Sequence, residues 1–177
     1  MTSRSVATLG ILTALVAALG FALAGVPNVE LVSLSSFAAG AVLGAGRGAL
    51  AGGTGMAVYS SLNPYGLALP PVFVAQVAGM ALFGAAGGRL GERIAAAPAA
   101  AAVPLGAAAG LALTLVYDLL TNVGTVAVMG AWSDPAPVIL GGIAWGVWHL
   151  VSNVALFAVV APPLLRAIRR RQRGALS

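Results

Sequence analysis

Six apolar runs follow one another between Val6 and Leu165, separated only by short polar or proline- and glycine-marked breaks. They are Val6–Val26, Leu31–Leu43, Ala49–Leu62, Val72–Gly88, Leu105–Val128 and Val138–Leu165. At about 1.5 Å per helical residue, the first, fifth and sixth are long enough to cross the ~30 Å hydrocarbon layer of a bilayer. The second is short unless its flanks join it. Charged residues make up only 7% of the chain against 60% hydrophobic ones, far below the roughly 25% charged share of a soluble domain. These runs predict an all-α integral membrane protein: a single six-transmembrane-helix bundle over residues 1–177, with 166–177 as a basic tail.

The breaks carry recognisable chemistry. Pro27-Asn28-Val29-Glu30 ends the first run, and Asn63-Pro64-Tyr65-Gly66, with Pro70-Pro71 beyond, ends the third. Gly44-Ala45-Gly46-Arg47-Gly48 has the glycines of a phosphate-binding loop, but no strand precedes it and no Lys-Ser/Thr follows, so it reads as a tight helix hairpin. An Ala/Pro-rich connection precedes the fifth run, and Gly130 to Pro137 separates it from the sixth. The first run, with Arg4 before it and Ala22-Leu23-Ala24 near its end, also has the outline of a cleavable signal peptide. Against that stands a ridge of small residues, Gly10, Ala14, Ala18 and Ala22, suited to close helix packing.

The arginines test the span count. With the N-terminus inside, all 9 basic residues fall on cytoplasmic segments: Arg4, Arg47, Arg89, Arg93, Arg166, Arg169, Arg170, Arg171 and Arg173. Glu30 and Asp134 then lie outside, as the positive-inside rule favours. Both termini are expected in the cytoplasm. The net charge of +5 thus reports topology in a cell membrane, and nucleic acid is not an expected partner.

Within this hydrocarbon the fifth and sixth runs place polar groups at helical spacing. Asp118 and Asn122 share one face, with Thr114, Thr121 and Thr125 on or beside it, and Trp145, His149 and Asn153 form an i, i+4, i+8 stripe on the next span. A charge near a bilayer centre costs about 2.5–3.5 kcal/mol on insertion scales, so such residues are normally paired or functional. If the two stripes face each other, Asp118 meets His149. One reading is an interhelical clasp that binds nothing; the other is a ligand site. From the outer side Asn28, Glu30, Tyr59, Asn63, Tyr65 and Gln76 converge on the same region, as in a pocket with aromatic walls and a few polar anchors.

Catalytic and metal readings lack support. The chain has one His and no Cys, so the clustered ligands of a zinc site are missing. Ser60, Ser61 and Ser152 stand in no nucleophile-activating motif. No cofactor is called for. A proton-coupled transporter stays open, because Asp118 and His149 can carry protons, although no inverted repeat with paired broken helices is visible.

Several segments resemble the S components of energy-coupling factor (ECF) transporters. They are Pro27-Asn28-Val29-Glu30-Leu31, Leu43-Gly44-Ala45-Gly46-Arg47-Gly48-Ala49, Asn63-Pro64-Tyr65-Gly66, Ala75-Gln76-Val77-Ala78-Gly79-Met80, Tyr117-Asp118-Leu119-Leu120-Thr121-Asn122 and His149-Leu150-Val151-Ser152-Asn153. The resemblance covers nearly the full length in the same order. It implies a prokaryotic membrane subunit that captures a vitamin or related micronutrient from outside. It also implies partners, namely a transmembrane coupling subunit and two cytoplasmic ATPase subunits, since the chain carries no nucleotide-binding loop of its own. The family's Ala-x-x-x-Ala docking pattern is matched by Ala14 and Ala18. The expected substrate-binding residues are Asn28, Glu30, Tyr59, Asn63, Gln76, Asp118, Asn122, Trp145, His149 and Asn153. With no arginine at membrane depth, a neutral or cationic ring-bearing ligand is expected over a phosphorylated one.

Overall fold

The computed structural model describes residues 2–23, 25 and 31–174, whose regular secondary structure is all helical. Its helices are α1 (Ser3–Ala22), α2 (Leu31–Leu43), α3 (Ala45–Ser61), α4 (Pro70–Ala96), α5 (Ala99–Met129), α6 (Ala136–Val159) and α7 (Ala161–Gly174). Four of them, α1, α4, α5 and α6, are long and apolar enough to cross a membrane, and α2 is a shorter apolar helix. Large apolar side chains stand on the outside of these helices, including Ile11, Leu115, Leu140 and Val147. This outward-facing apolar surface suits hydrocarbon and not water.

Three boundaries differ from the sequence reading. The turn between α2 and α3 is Gly44 alone, at φ +83°; Ala45 to Gly48 already belong to α3. A glycine suffices there because it reaches positive φ without steric cost. The Ala/Pro-rich connection is not a loop: α4 continues through Arg89 and Arg93 to Ala96, and α5 starts at Ala99 with Pro98 as its N-cap. Alanine is the strongest helix former, and it outweighs the single hydrogen bond that Pro104 removes near the start of α5. The sixth run is cut at Val160, and its last residues open α7. Pro162 and Pro163 cannot donate to carbonyls of α6, whereas the first turn of a new helix needs no such donors.

α4 is the central element. It packs against α2 and α3 on one side and α5 on the other, while α1 covers α2 and α3, and α6 lies against α5. Glycines let α2, α3 and α4 approach backbone to backbone: a Cβ on Gly84 would collide with the Gly48 carbonyl, and one on Gly87 with the carbonyl of Phe37. Phe37, Phe83 and Phe157 fill the interior where α2, α4 and α6 converge, the Phe37 and Phe157 rings meeting edge-on at 5.3 Å between centroids.

The arginine-bearing ends gather at one end of the bundle. Arg47 donates from Nε to the Leu43 carbonyl at the end of α2 and from Nη1 to Ser5 Oγ at 2.7 Å. α7 folds back on the same end, where Arg169 pairs with Glu92 of α4 at 2.8 Å and Gln172 Nε2 donates to carbonyls at the end of α2.

Candidate functional site

A cavity of about 260 Å³ opens between α4, α5 and α6. It lies toward the end of the bundle opposite the arginines, since Gln76 is near the start of α4, Thr125 near the end of α5 and Gly142 near the start of α6. α5 contributes Tyr117, Asp118, Thr121, Asn122 and Thr125, and α6 contributes Gly142, Trp145, Gly146 and His149. The spacing on each helix explains the arrangement: residues three and four apart stack on one face, so each helix turns one polar stripe to the other.

Asp118 and His149 anchor this seam. His149 Nδ1 lies 2.7 Å from Asp118 Oδ1, and both side chains are largely shielded. In the neutral tautomer that carries its proton on Nδ1, His149 donates to the Asp118 carboxylate and leaves Nε2 as an acceptor. The Tyr117 ring meets the imidazole edge-on at 5.5 Å between centroids and holds its plane.

The neighbouring polar groups divide their bonding between the helix and the cavity. Asn122 Nδ2 donates to the Asp118 carbonyl at 2.7 Å, so its side-chain oxygen remains available on the side of Gly142. Thr121 and Thr125 hydroxyls donate to carbonyls one turn back and keep oxygen lone pairs for an incoming donor. Across the cavity, Gln76 Oε1 accepts from Ser60 Oγ at 2.6 Å, which orients the amide with its Nε2 as a donor group at the cavity wall. Gly142 and Gly146 supply the space: a Cβ on Gly142 would stand 3.3 Å from Asn122 Oδ1, and one on Gly146 3.9 Å from Asp118 Oδ2. The result is a half-open chamber with donors, acceptors and two aromatic rings, and no arginine among its lining residues.

Five of the residues singled out in the sequence meet here: Gln76, Asp118, Asn122, Trp145 and His149. Trp145 lines the cavity, whereas Trp148, three residues on, is not part of its wall. Three others lie elsewhere. Tyr59 is buried in the core, where its ring meets Phe21 edge-on at 5.1 Å. Asn63 closes the turn after α3 by accepting from the Tyr65 backbone N–H. Asn153 is fully buried on α6, one turn below His149, where Oδ1 accepts from Ser33 Oγ and ties α6 to α2. Asn28 and Glu30 lie outside the described residues. Ala14 and Ala18 stand on the exposed face of α1 beside Ile11 and Leu15.

Gly142 and Gly146 were not recognised from the sequence. Their signal was present: Gly142, Gly146, His149 and Asn153 recur at 4-3-4 spacing, a stripe on α6 that follows the 3.6-residue period. Among the described residues no group of His, Asp and Glu is placed to hold a metal ion.

A bundle of apolar helices enclosing a polar chamber is the architecture of a multi-pass membrane protein. Comparison with family models places the chain further. Residues 1–170 match the family described as ECF-type riboflavin transporter, S component, and the chain belongs to that family of multi-pass membrane transport proteins. Comparisons with curated proteins and with solved structures returned no match.

Proposed function

We propose that this chain is the substrate-binding subunit of an ECF importer in a prokaryotic cytoplasmic membrane. It takes a vitamin from outside and passes it inward with a coupling subunit and two cytoplasmic ATPases. The observation that carries this reading is the convergence of Gln76, Asp118, Asn122, Trp145 and His149 on one chamber in a chain matched to the S-component family over residues 1–170. In this reading α1 to α6 are the six spans and both termini are cytoplasmic. The gathered arginines then mark the inner end, and the chamber faces outward.

The family description points to riboflavin as cargo, and the chemistry of the chamber is compatible with it. A neutral ring system bearing amide-like edges and a chain of hydroxyls would use the Gln76 and Asn122 amides, the Thr121 and Thr125 hydroxyls and the Asp118–His149 pair, with Trp145 against the ring. Lining without an arginine favours the free vitamin over its phosphorylated form. The test is mass spectrometry of small molecules released from gently purified protein, together with quenching of riboflavin fluorescence on titration. Stoichiometric riboflavin, lost in Asp118→Asn, is the expected result. Release of a different vitamin would keep the subunit reading and replace the cargo. An empty protein that binds no vitamin from a broad mixture would remove it.

The 2.7 Å contact between Asp118 and His149 also supports a second reading, an interhelical clasp without a ligand. In that case substitutions of the pair lower thermal stability while no small molecule is bound by the parent protein. A proton-coupled secondary transporter differs again, in that uptake would proceed without ATPase subunits and collapse with an uncoupler.

A further inference from the structure

α7 has two unlike faces. Its inner face carries Leu165, which is buried, and the groups that hold the helix in place: Arg166 Nη2 donates to the Ala97 carbonyl, and Arg169 and Arg173 both reach Glu92. One carboxylate therefore serves two arginines. Arg170 and Arg171 are exposed and have no carboxylate partner among the described residues. Arg166, besides its bond to Ala97, borders an open recess of about 490 Å³ together with Arg170 and Arg171. Leu164 and Ile168 of the same helix form one wall of an apolar groove of about 280 Å³, completed by Leu15 and Leu19 of α1 and Leu34 of α2.

Position decides what such a surface meets. α7 starts one residue after α6 ends and packs against the ends of α4 and α2, so it is held where a membrane-crossing segment leaves the hydrocarbon. A basic amphipathic helix at that depth is placed for negatively charged headgroups. The groove, to which the same helix contributes Leu164 and Ile168, offers hydrocarbon contact. We propose that α7 binds an anionic phospholipid, with its phosphate at Arg170 and Arg171 and an acyl chain along the Leu164–Ile168 groove. The charge complementarity, and the presence of an arginine recess and an apolar groove on one helix, favour this amphiphile over a protein partner.

The experiment is native mass spectrometry of the purified full chain titrated with phosphatidylglycerol or phosphatidylcholine. The parent protein should retain phosphatidylglycerol preferentially, and the Arg170→Ala/Arg171→Ala variant should lose about tenfold in apparent affinity for it with thermal unfolding unchanged. An Arg89→Ala/Arg93→Ala variant, which removes the same charge from α4, should retain the lipid. Equal retention of both lipids by the parent overturns the proposal, as does equal loss in the two variants. Unchanged lipid retention in the α7 variant, accompanied by loss of coupling-subunit capture, would assign the face to protein docking instead.

Discussion

Asp118 and His149, 31 residues apart in the chain, meet at 2.7 Å across the seam between α5 and α6 and close one wall of the polar chamber. A buried pair of this kind behaves asymmetrically under mutation, because removing one partner strands the other. His149→Ala should therefore lower stability by about 2–4 kcal/mol, and Asp118→Asn less, since an amide still bonds the imidazole. The Asp118→Asn/His149→Ala double variant should recover part of the loss in thermal unfolding while binding no vitamin. Full recovery of binding would show that the pair is a clasp alone.

Gly142 opens the chamber opposite Asn122. Gly142→Ala puts a methyl group 3.3 Å from Asn122 Oδ1, close enough to push the amide aside. Fluorescence titration with riboflavin should show roughly tenfold weaker binding, of the order reported for a misplaced methyl in a fitted pocket. Gly142→Leu should abolish binding with only a small change in melting temperature, because beyond the Asn122 amide its side chain extends into the chamber.

Gly84 is a different case, since its neighbour is backbone. A Cβ there meets the Gly48 carbonyl, which cannot move without parting α3 from α4. Gly84→Val should destabilise by more than about 3 kcal/mol, beyond the usual range for overpacking, and reduce the amount of folded protein recovered from membranes.

Ser33 donates to Asn153 Oδ1 in a fully buried contact, and the Asn153 Nδ2 has no partner among the described residues. Ser33→Ala leaves the whole amide unpaired and should cost about 1–3 kcal/mol. Asn153→Leu, which removes the polar group itself, should be milder than Ser33→Ala in thermal unfolding. The reverse order would show that Asn153 bonds elsewhere.

Ala14 and Ala18 face outward on α1. If this face meets the coupling subunit, Ala14→Trp should reduce co-purification of the complex at least tenfold, an effect expected where small residues permit close helix approach. Vitamin binding by the isolated subunit should not change.

The hydrophobic pattern and the family motifs were readable in the linear chain. Helical spacing put Asp118 and His149 each on a polar stripe, and the structure supplied the condition for their pairing by turning the two stripes to face each other. The division of the outer polar residues was not. Gln76 reaches the chamber, whereas Tyr59 packs beside Phe21 and Asn63 caps a turn. All three look alike in sequence: polar or aromatic groups near the same end of a span. Which way each side chain turns depends on how α3 and α4 rotate against their neighbours, and that is set by the backbone contacts of Gly84 and Gly87.

By itself the sequence determined the membrane class, the polar interior of the last two long helices and the basic end, because each follows from local composition and a 3.6-residue period. Tertiary structure alone decided the break at Val160, the return of α7 onto Glu92, and the chamber that Gly142 and Gly146 keep open. Those depend on contacts between residues far apart in the chain, where a missing side chain matters only once something stands opposite it.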